Sequence, residues 1–320
     1  VPLLDGQSFR DLVRWHETSL LWLAEAFIRT ETAGPQCARL AETVLRLLEA
    51  TGAEEVDLVG LGRPEAAVFA RACTTRGVLV HGSVPQARPL RPPPSRRSGL
   101  RGALAGLWAP ADPPPRPRPT VGTGSATALP LLVLPQRERD VAPLRPLLEA
   151  AADPLGAPVV TVAVEDLGRW ETRRVRSAVS EAEARLRGCR DRLRDAPGLH
   201  ESYAHRGVGF ADLARNDLDR VLLGHLPAAV RRLETAVELL SAAPRPAVVL
   251  VPDAGWDDRR TLIAACARAG VPAAVVHSEP VGPEERDRSD RGPHPAVTLV
   301  WEPGSDPGPA VARLRGAVAL

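Results

Sequence analysis

Ala247-Val248-Val249-Leu250-Val251, then Pro252-Asp253-Ala254-Gly255-Trp256-Asp257-Asp258, then Ala273-Ala274-Val275-Val276-His277 are the segments whose reading decides the fold. The first is a β-branched apolar run of the kind that forms a strand buried on both faces. The polar turn breaks it, and Asp257 or Asp258 is placed to cap a helix over about 259–269. Leu262, Ile263, Cys266 and Ala267 share one face of that helix, and Gly270 closes it. Val271-Pro272 leads into a second apolar strand ending at His277-Ser278-Glu279. Strand, crossover helix and strand make a βαβ unit, the building block of parallel sheets. Ligands of such sheets sit beyond the carboxyl ends of the strands, where Asp253 and His277 fall.

The same grammar recurs along the chain. Strands are expected at 55–60, 77–81, 131–134, 158–164 and 296–300. Helices are expected over 36–50, from Pro64 to about 76, 141–152, 171–194 and 310–320, with one or two more over 210–242 that Pro227 interrupts. Residues 8–30 carry an amphipathic helical pattern, in one piece or two, with Trp15, His16 and Trp22 read as packing groups. Leu40, Val44, Leu47 and Leu48 are the expected apolar face of the second helix. Residues 85–128, with Pro92-Pro93-Pro94 and Pro113-Pro114-Pro115, read as a mobile linker or long insertion. The expected organisation is a helical and α/β segment over 1–84, that linker, and a Rossmann-like α/β domain with a helical insertion over 129–320. The fold class is α/β, with mostly parallel sheets flanked by helices.

Composition excludes several functions. The 320 residues carry a formal charge of +2, too balanced for a dedicated nucleic-acid binder. All 41 basic residues are Arg and Met is absent, a bias of G- and C-rich codons, so Arg clusters carry little information here. Aromatic residues make up only 3%, which leaves the core to Leu, Val and Ala. Cys37, Cys73, Cys189 and Cys266 form no CxxC pair and read as buried thiols of a cytoplasmic protein. Gly60-Leu61-Gly62 opens like a dinucleotide fingerprint but lacks its third glycine, so it reads as a tight strand-to-helix turn and no cofactor is expected. No metal-binding spacing, GxSxG, P-loop or HExxH occurs.

Three segments carry a family resemblance. Tyr203-Ala204-His205-Arg206-Gly207-Val208-Gly209-Phe210 precedes a helix-rich stretch, Arg245 to Leu250 leads into the Asp253 turn, and Ala269-Gly270-Val271-Pro272 precedes the last strand of the unit. This order resembles the amino-terminal half of bacterial GT-B-type glycosyltransferases that build surface and capsular polysaccharides. Where that family has Gln-His-Gly, this chain has His277-Ser278-Glu279, and too few residues follow for the family's nucleotide-sugar half. The resemblance implies a cytoplasmic GT-B-like glycosyltransferase, whole or as a fragment, with a sugar or nucleotide-sugar ligand and peripheral association with a membrane assembly. It implies Asp253 or His277 as general base, and Arg206, Gly207, Asp257 and Glu279 as substrate-binding residues. A non-catalytic binding or scaffold subunit of such a pathway, and a nucleotide-sugar epimerase relative, are the alternative readings.

Overall fold

The computed structural model describes residues 2–4, 7–82, 119–121, 131–155, 158–194, 196, 198, 201, 203–242, 244–252, 256–277, 293–300 and 306–318. The chain forms two compact units. Unit 1 comprises Val1–Leu12, Phe27–Asp112 and Leu186–Gly224; unit 2 comprises Val13–Ala26, Pro113–Arg185 and His225–Leu320.

Unit 2 is built on a six-stranded sheet, five strands of which are parallel. Across the sheet the order is Val297–Val300, Ala273–His277, Val248–Pro252, Leu131–Val133, Val159–Thr161 and Pro119–Val121, the last antiparallel to its neighbour. Continuous β-branched runs form these central strands because both faces are covered, and every residue of Val248–Pro252 and Ala273–His277 is buried. On one face, Leu144, Leu147, Leu148 and Ala151 join Ala310, Val311 and Leu314 over Leu131, Val133, Leu250, Ala274 and Val276. The crossover helix Trp256–Ala269 packs against Val248–Pro252 and against the helix Leu226–Ser241. This is a Rossmann-like α/β architecture. Pro119–Val121 falls within the proline-rich segment 85–128, yet it pairs with Val159–Thr161. The rest of that segment lies outside the described residues.

Unit 1 contains a smaller parallel pair. Glu55–Asp57 and Leu79–His81 lie side by side, joined by the helix Arg63–Thr75 with Pro64 in its first turn. Its core gathers Cys37, Ala41, Val44, Leu45 and Leu48 from the helix Ala33–Thr51, with Val68, Ala72 and Cys73 from the crossover helix and Val208 and Phe210. The buried stripe of Ala33–Thr51 is therefore not the expected one, because Leu47 is exposed. Small side chains at 37 and 41 let the neighbouring helix approach.

The largest departure from the periodic pattern is at 8–30. No continuous helix forms there; short helices Phe9–Leu12, Leu20–Leu23 and Glu25–Glu31 surround a hairpin of Arg14–Trp15 and Thr18–Ser19. His16, at φ +49, turns the chain, and the Leu20 amide donates to the Val13 carbonyl at 3.0 Å to close it. Further on, Pro227 does not interrupt the helix over 226–241 but sits in its first turn, preceded by π-helical turns at Arg220–His225.

Candidate functional site

In chain order, the parallel strands of unit 2 run from Leu131–Val133 outward to Val159–Thr161, then return to Val248–Pro252 on the other side of the first strand. That reversal is a topological switch point. In open α/β sheets such a point is where ligands bind, beyond the carboxyl edge. Three described features reach that edge. Leu134, Pro135 and Gln136 follow the first strand; Leu134 donates to the Leu250 carbonyl at 2.9 Å, and Pro135 accepts from the Val164 amide at 2.8 Å. Gln136 Oε1 is shielded from solvent with no hydrogen-bond partner among the described residues. His277 ends its strand and is buried. The helix Trp256–Ala269 starts after Pro252, which is in register with Val276.

Asp258 lies in the first turn of that helix, 2.8 Å from Arg232 Nη1, in an orientation that gives its Oδ1 no hydrogen bond. The contact is ionic, and it neutralises this carboxylate. Asp257 is a residue of the same helix. Asp253 and Glu279 lie outside the described residues. Arg206 and Gly207 belong to unit 1, whereas Asp257 and His277 belong to unit 2. In unit 1, Arg206 and Gly207 form the turn of a hairpin of Ala204–His205 and Val208–Gly209, at φ +48 and +87. The Arg206 guanidinium lies 2.7 Å from Glu49 and 3.5 Å from Glu42.

One heavily engaged carboxylate of unit 2 was not legible as a site. Glu234 is buried; it accepts from Trp15 Nε1 at 2.6 Å and from Arg268 Nη1 at 2.5 Å, with His16 Nε2 at 3.9 Å. Burial pushes this carboxyl up, but the bonds from Arg268 and Trp15 and the charges of Arg268 and His16 outweigh it, and the group is held low. Its signal in the sequence is a Glu among the inward positions Leu226, Val230, Leu233 and Ala236 of an apolar helix. On the crossover helix, Arg260 is buried, donates to the Trp22 carbonyl at 2.8 Å and to Glu25 at 2.6 Å, and lies over the Trp22 ring.

Unit 1 has a comparable ionic cluster. Glu42 Oε2 lies 2.8 Å from His205 Nε2, and the bonds from His205 and then Arg46 bring its pKa down to about 2. Arg71 forms a two-pronged pair with Asp212 that holds the Asp212 carboxyl low. Asp217 accepts from the Ala33 and Gly34 amides at the start of a helix, yet burial holds its pKa up.

None of the four cysteines is in a disulfide and all are buried, and burial raises the thiol pKa of Cys266 to about 12. Among the described residues, no group of three His, Cys, Asp or Glu side chains is placed to hold a metal ion. No described helix is long and apolar enough to cross a membrane. No protein-family model, no curated protein and no solved structure matches this chain.

Proposed function

We propose that the chain binds a sugar or sugar nucleotide at the carboxyl edge of the unit 2 sheet, as a GT-B-like glycosyltransferase module of envelope polysaccharide synthesis acting in the cytoplasm. The observation that carries this reading is the strand reversal, which leaves His277 and the shielded Gln136 amide at the edge where ligands of such sheets bind. The resemblance of residues around 200–279 to that family supplies the ligand class. In this reading Gln136 bonds a sugar hydroxyl, and His277 or Asp253 takes the acceptor proton. A non-catalytic binding subunit is favoured by one observation: Asp258, a described carboxylate near that edge, is neutralised by Arg232.

The test is calorimetric titration of the chain with uridine diphosphate glucose and guanosine diphosphate mannose. His277→Ala, Gln136→Ala and Asp253→Ala are compared with the parent, each checked by circular dichroism. Binding should weaken about tenfold or more when a buried hydrogen-bond partner of the ligand is lost. Absence of binding by the parent, or unchanged binding in all three folded variants, removes the reading. Sugar transfer by the parent would separate the enzyme from the binding subunit.

A further inference from the structure

The two βαβ modules are alike beyond their shared topology. At one constant offset and without a gap, Val56, Ala72, Cys73, Gly77 and Val78 of the first match Val249, Ala265, Cys266, Gly270 and Val271 of the second. The register agrees, with Val56 opposite Val80 and Val249 opposite Ala273. Both crossover helices end in the same cap. Val78 donates to the Cys73 carbonyl at 2.9 Å and Val271 to that of Cys266 at 3.0 Å, with Gly77 and Gly270 at φ +72 and +64. Caps and parallel pairs recur widely, so these matches alone would carry little.

The helices before the modules are more telling. Pro35, Arg39, Glu42, Thr43, Leu47 and Leu48 match Pro227, Arg231, Glu234, Thr235, Leu239 and Leu240, again without a gap. Thr43 Oγ1 donates to the Arg39 carbonyl and Thr235 Oγ1 to the Arg231 carbonyl. Each helix is preceded in the chain by a two-residue-turn hairpin. His16 and Arg206 hold the first turn position at φ +49 and +48. Leu20 closes on Val13 at 3.0 Å, and Phe210 closes on Tyr203 at 2.8 Å.

The partners are exchanged. The hairpin at 14–19, which precedes Glu42 in the chain, bonds Glu234 through Trp15 Nε1. The hairpin at 204–209, which precedes Glu234, reaches Glu42 through His205. Trp15 and His205 occupy the same hairpin position, and the turn residues His16 and Arg206 approach the same two carboxylates, at 3.9 and 3.5 Å. An arginine of each crossover helix then holds the chain at the end of a hairpin or just after it. Arg260 donates to the Trp22 carbonyl and Arg71 to the Gly209 carbonyl.

We infer that the chain is a tandem duplication of one hairpin–helix–βαβ module, and that each copy is a docking surface for the other copy's hairpin, latched by Glu42 in one and Glu234 in the other. The recognised chemistry is a ring N–H donor one residue before a left-handed turn. The interval between hairpin and helix is longer in the second copy, and the π-helical turns at Arg220–His225 lie within it. Such a turn takes up extra residues without breaking a helix.

Amide hydrogen exchange by mass spectrometry on the whole chain tests the exchange of hairpins. Glu42→Gln and His205→Gln should each speed exchange at 203–210 about tenfold, the worth of one hydrogen bond, with 14–19 unchanged. Glu234→Gln and Trp15→Phe should do the reverse. Should Glu234→Gln fail to fold, Trp15→Phe carries that arm. Loosening of 14–19 by the Glu42 or His205 variants, or unchanged exchange at 203–210 in both, overturns the inference.

Discussion

The two parallel strand pairs share a backbone plan but differ in what surrounds them. Val248–Pro252 and Ala273–His277 are buried throughout, with a further strand on each side and apolar side chains over them. Glu55–Asp57 and Leu79–His81 form a two-stranded sheet, with Val56 and Val80 packed on the core and Glu55, Asp57, Leu79 and His81 exposed. Glu55 and His81 meet on that exposed side at 3.2 Å. Glu55-Val56-Asp57 alternates polar and apolar because one side faces water, whereas Val248–Val251 and Ala273–Val276 are apolar throughout because both faces are covered. One supersecondary plan thus serves as a central sheet or as a thin edge, according to what covers it.

The sharpest way to break that contrast is truncation. Leu250→Ala should cost about 2–5 kcal/mol in urea unfolding, because the cavity is enclosed on all sides. Leu79→Ala should stay within about 0.5 kcal/mol, as for exposed positions generally. Similar losses at both sites would mean that the thin pair is covered after all.

Glu234→Gln is expected to cost about 1–3 kcal/mol, since it weakens a buried acceptor of two donors and leaves Arg268 without its charge partner. Glu42→Gln should cost less, because His205, Arg46 and Arg206 around it reach water. The ranking is read from paired denaturation curves, and the reverse order would contradict the burial difference.

Gly77→Ala and Gly270→Ala should each lose about 1–2 kcal/mol, because both positions need a left-handed backbone. Added methyls find open space at Gly77 and only the flexible Arg245 guanidinium at Gly270. Near-equal losses would strengthen the equivalence of the two modules; a large cost at one alone would weaken it.

Acid offers a subtler probe. The Glu42 carboxyl, held by the His205 bond first and Arg46 next, titrates at about 2 against an ordinary 4.5. Between those values the folded chain binds fewer protons than the unfolded one. The contribution is therefore complete above about pH 4.5 and fades as the pH falls towards 2. Asp212 acts in the same direction through its bond to Arg71. Asp217, raised by burial, acts in the opposite one, and acidification relieves it. Thermal melts of the parent and Glu42→Gln should converge as the pH falls through that window. Parallel curves would refute the assignment. The smallest effect is chemical. Iodoacetamide at pH 8 should leave Cys266 the slowest thiol to label in the native state, given its burial and a pKa of about 12.

Much of the fold was legible because local chemistry fixes it. Val248–Val251 and Ala273–Val276 are apolar on both faces, Gly270 ends a helix, and Pro64 starts one. The long helix Arg173–Arg194 buries Val175, Val179, Ala182, Leu186 and Leu193, as its spacing implies. His277 at a strand end followed from the same pattern. Gln136 did not, because its place depends on which strands become neighbours at the reversal, and strand order leaves no local mark.

The hairpin at 14–19 was hidden for a related reason. Its apolar spacing suits a helix, but His16 adopts a left-handed turn and the Trp15 indole reaches a carboxylate 219 residues away. Periodicity reports the side a residue buries, not the partner it buries against. Local sequence was enough for the central strands of unit 2, their crossover helix and the parallel class, since hydrophobic runs, caps and turn residues act within a few positions. Only the tertiary structure decided strand order, the buried place of Glu234 and the exchange of hairpins between modules, because those rest on contacts between residues that only folding brings together.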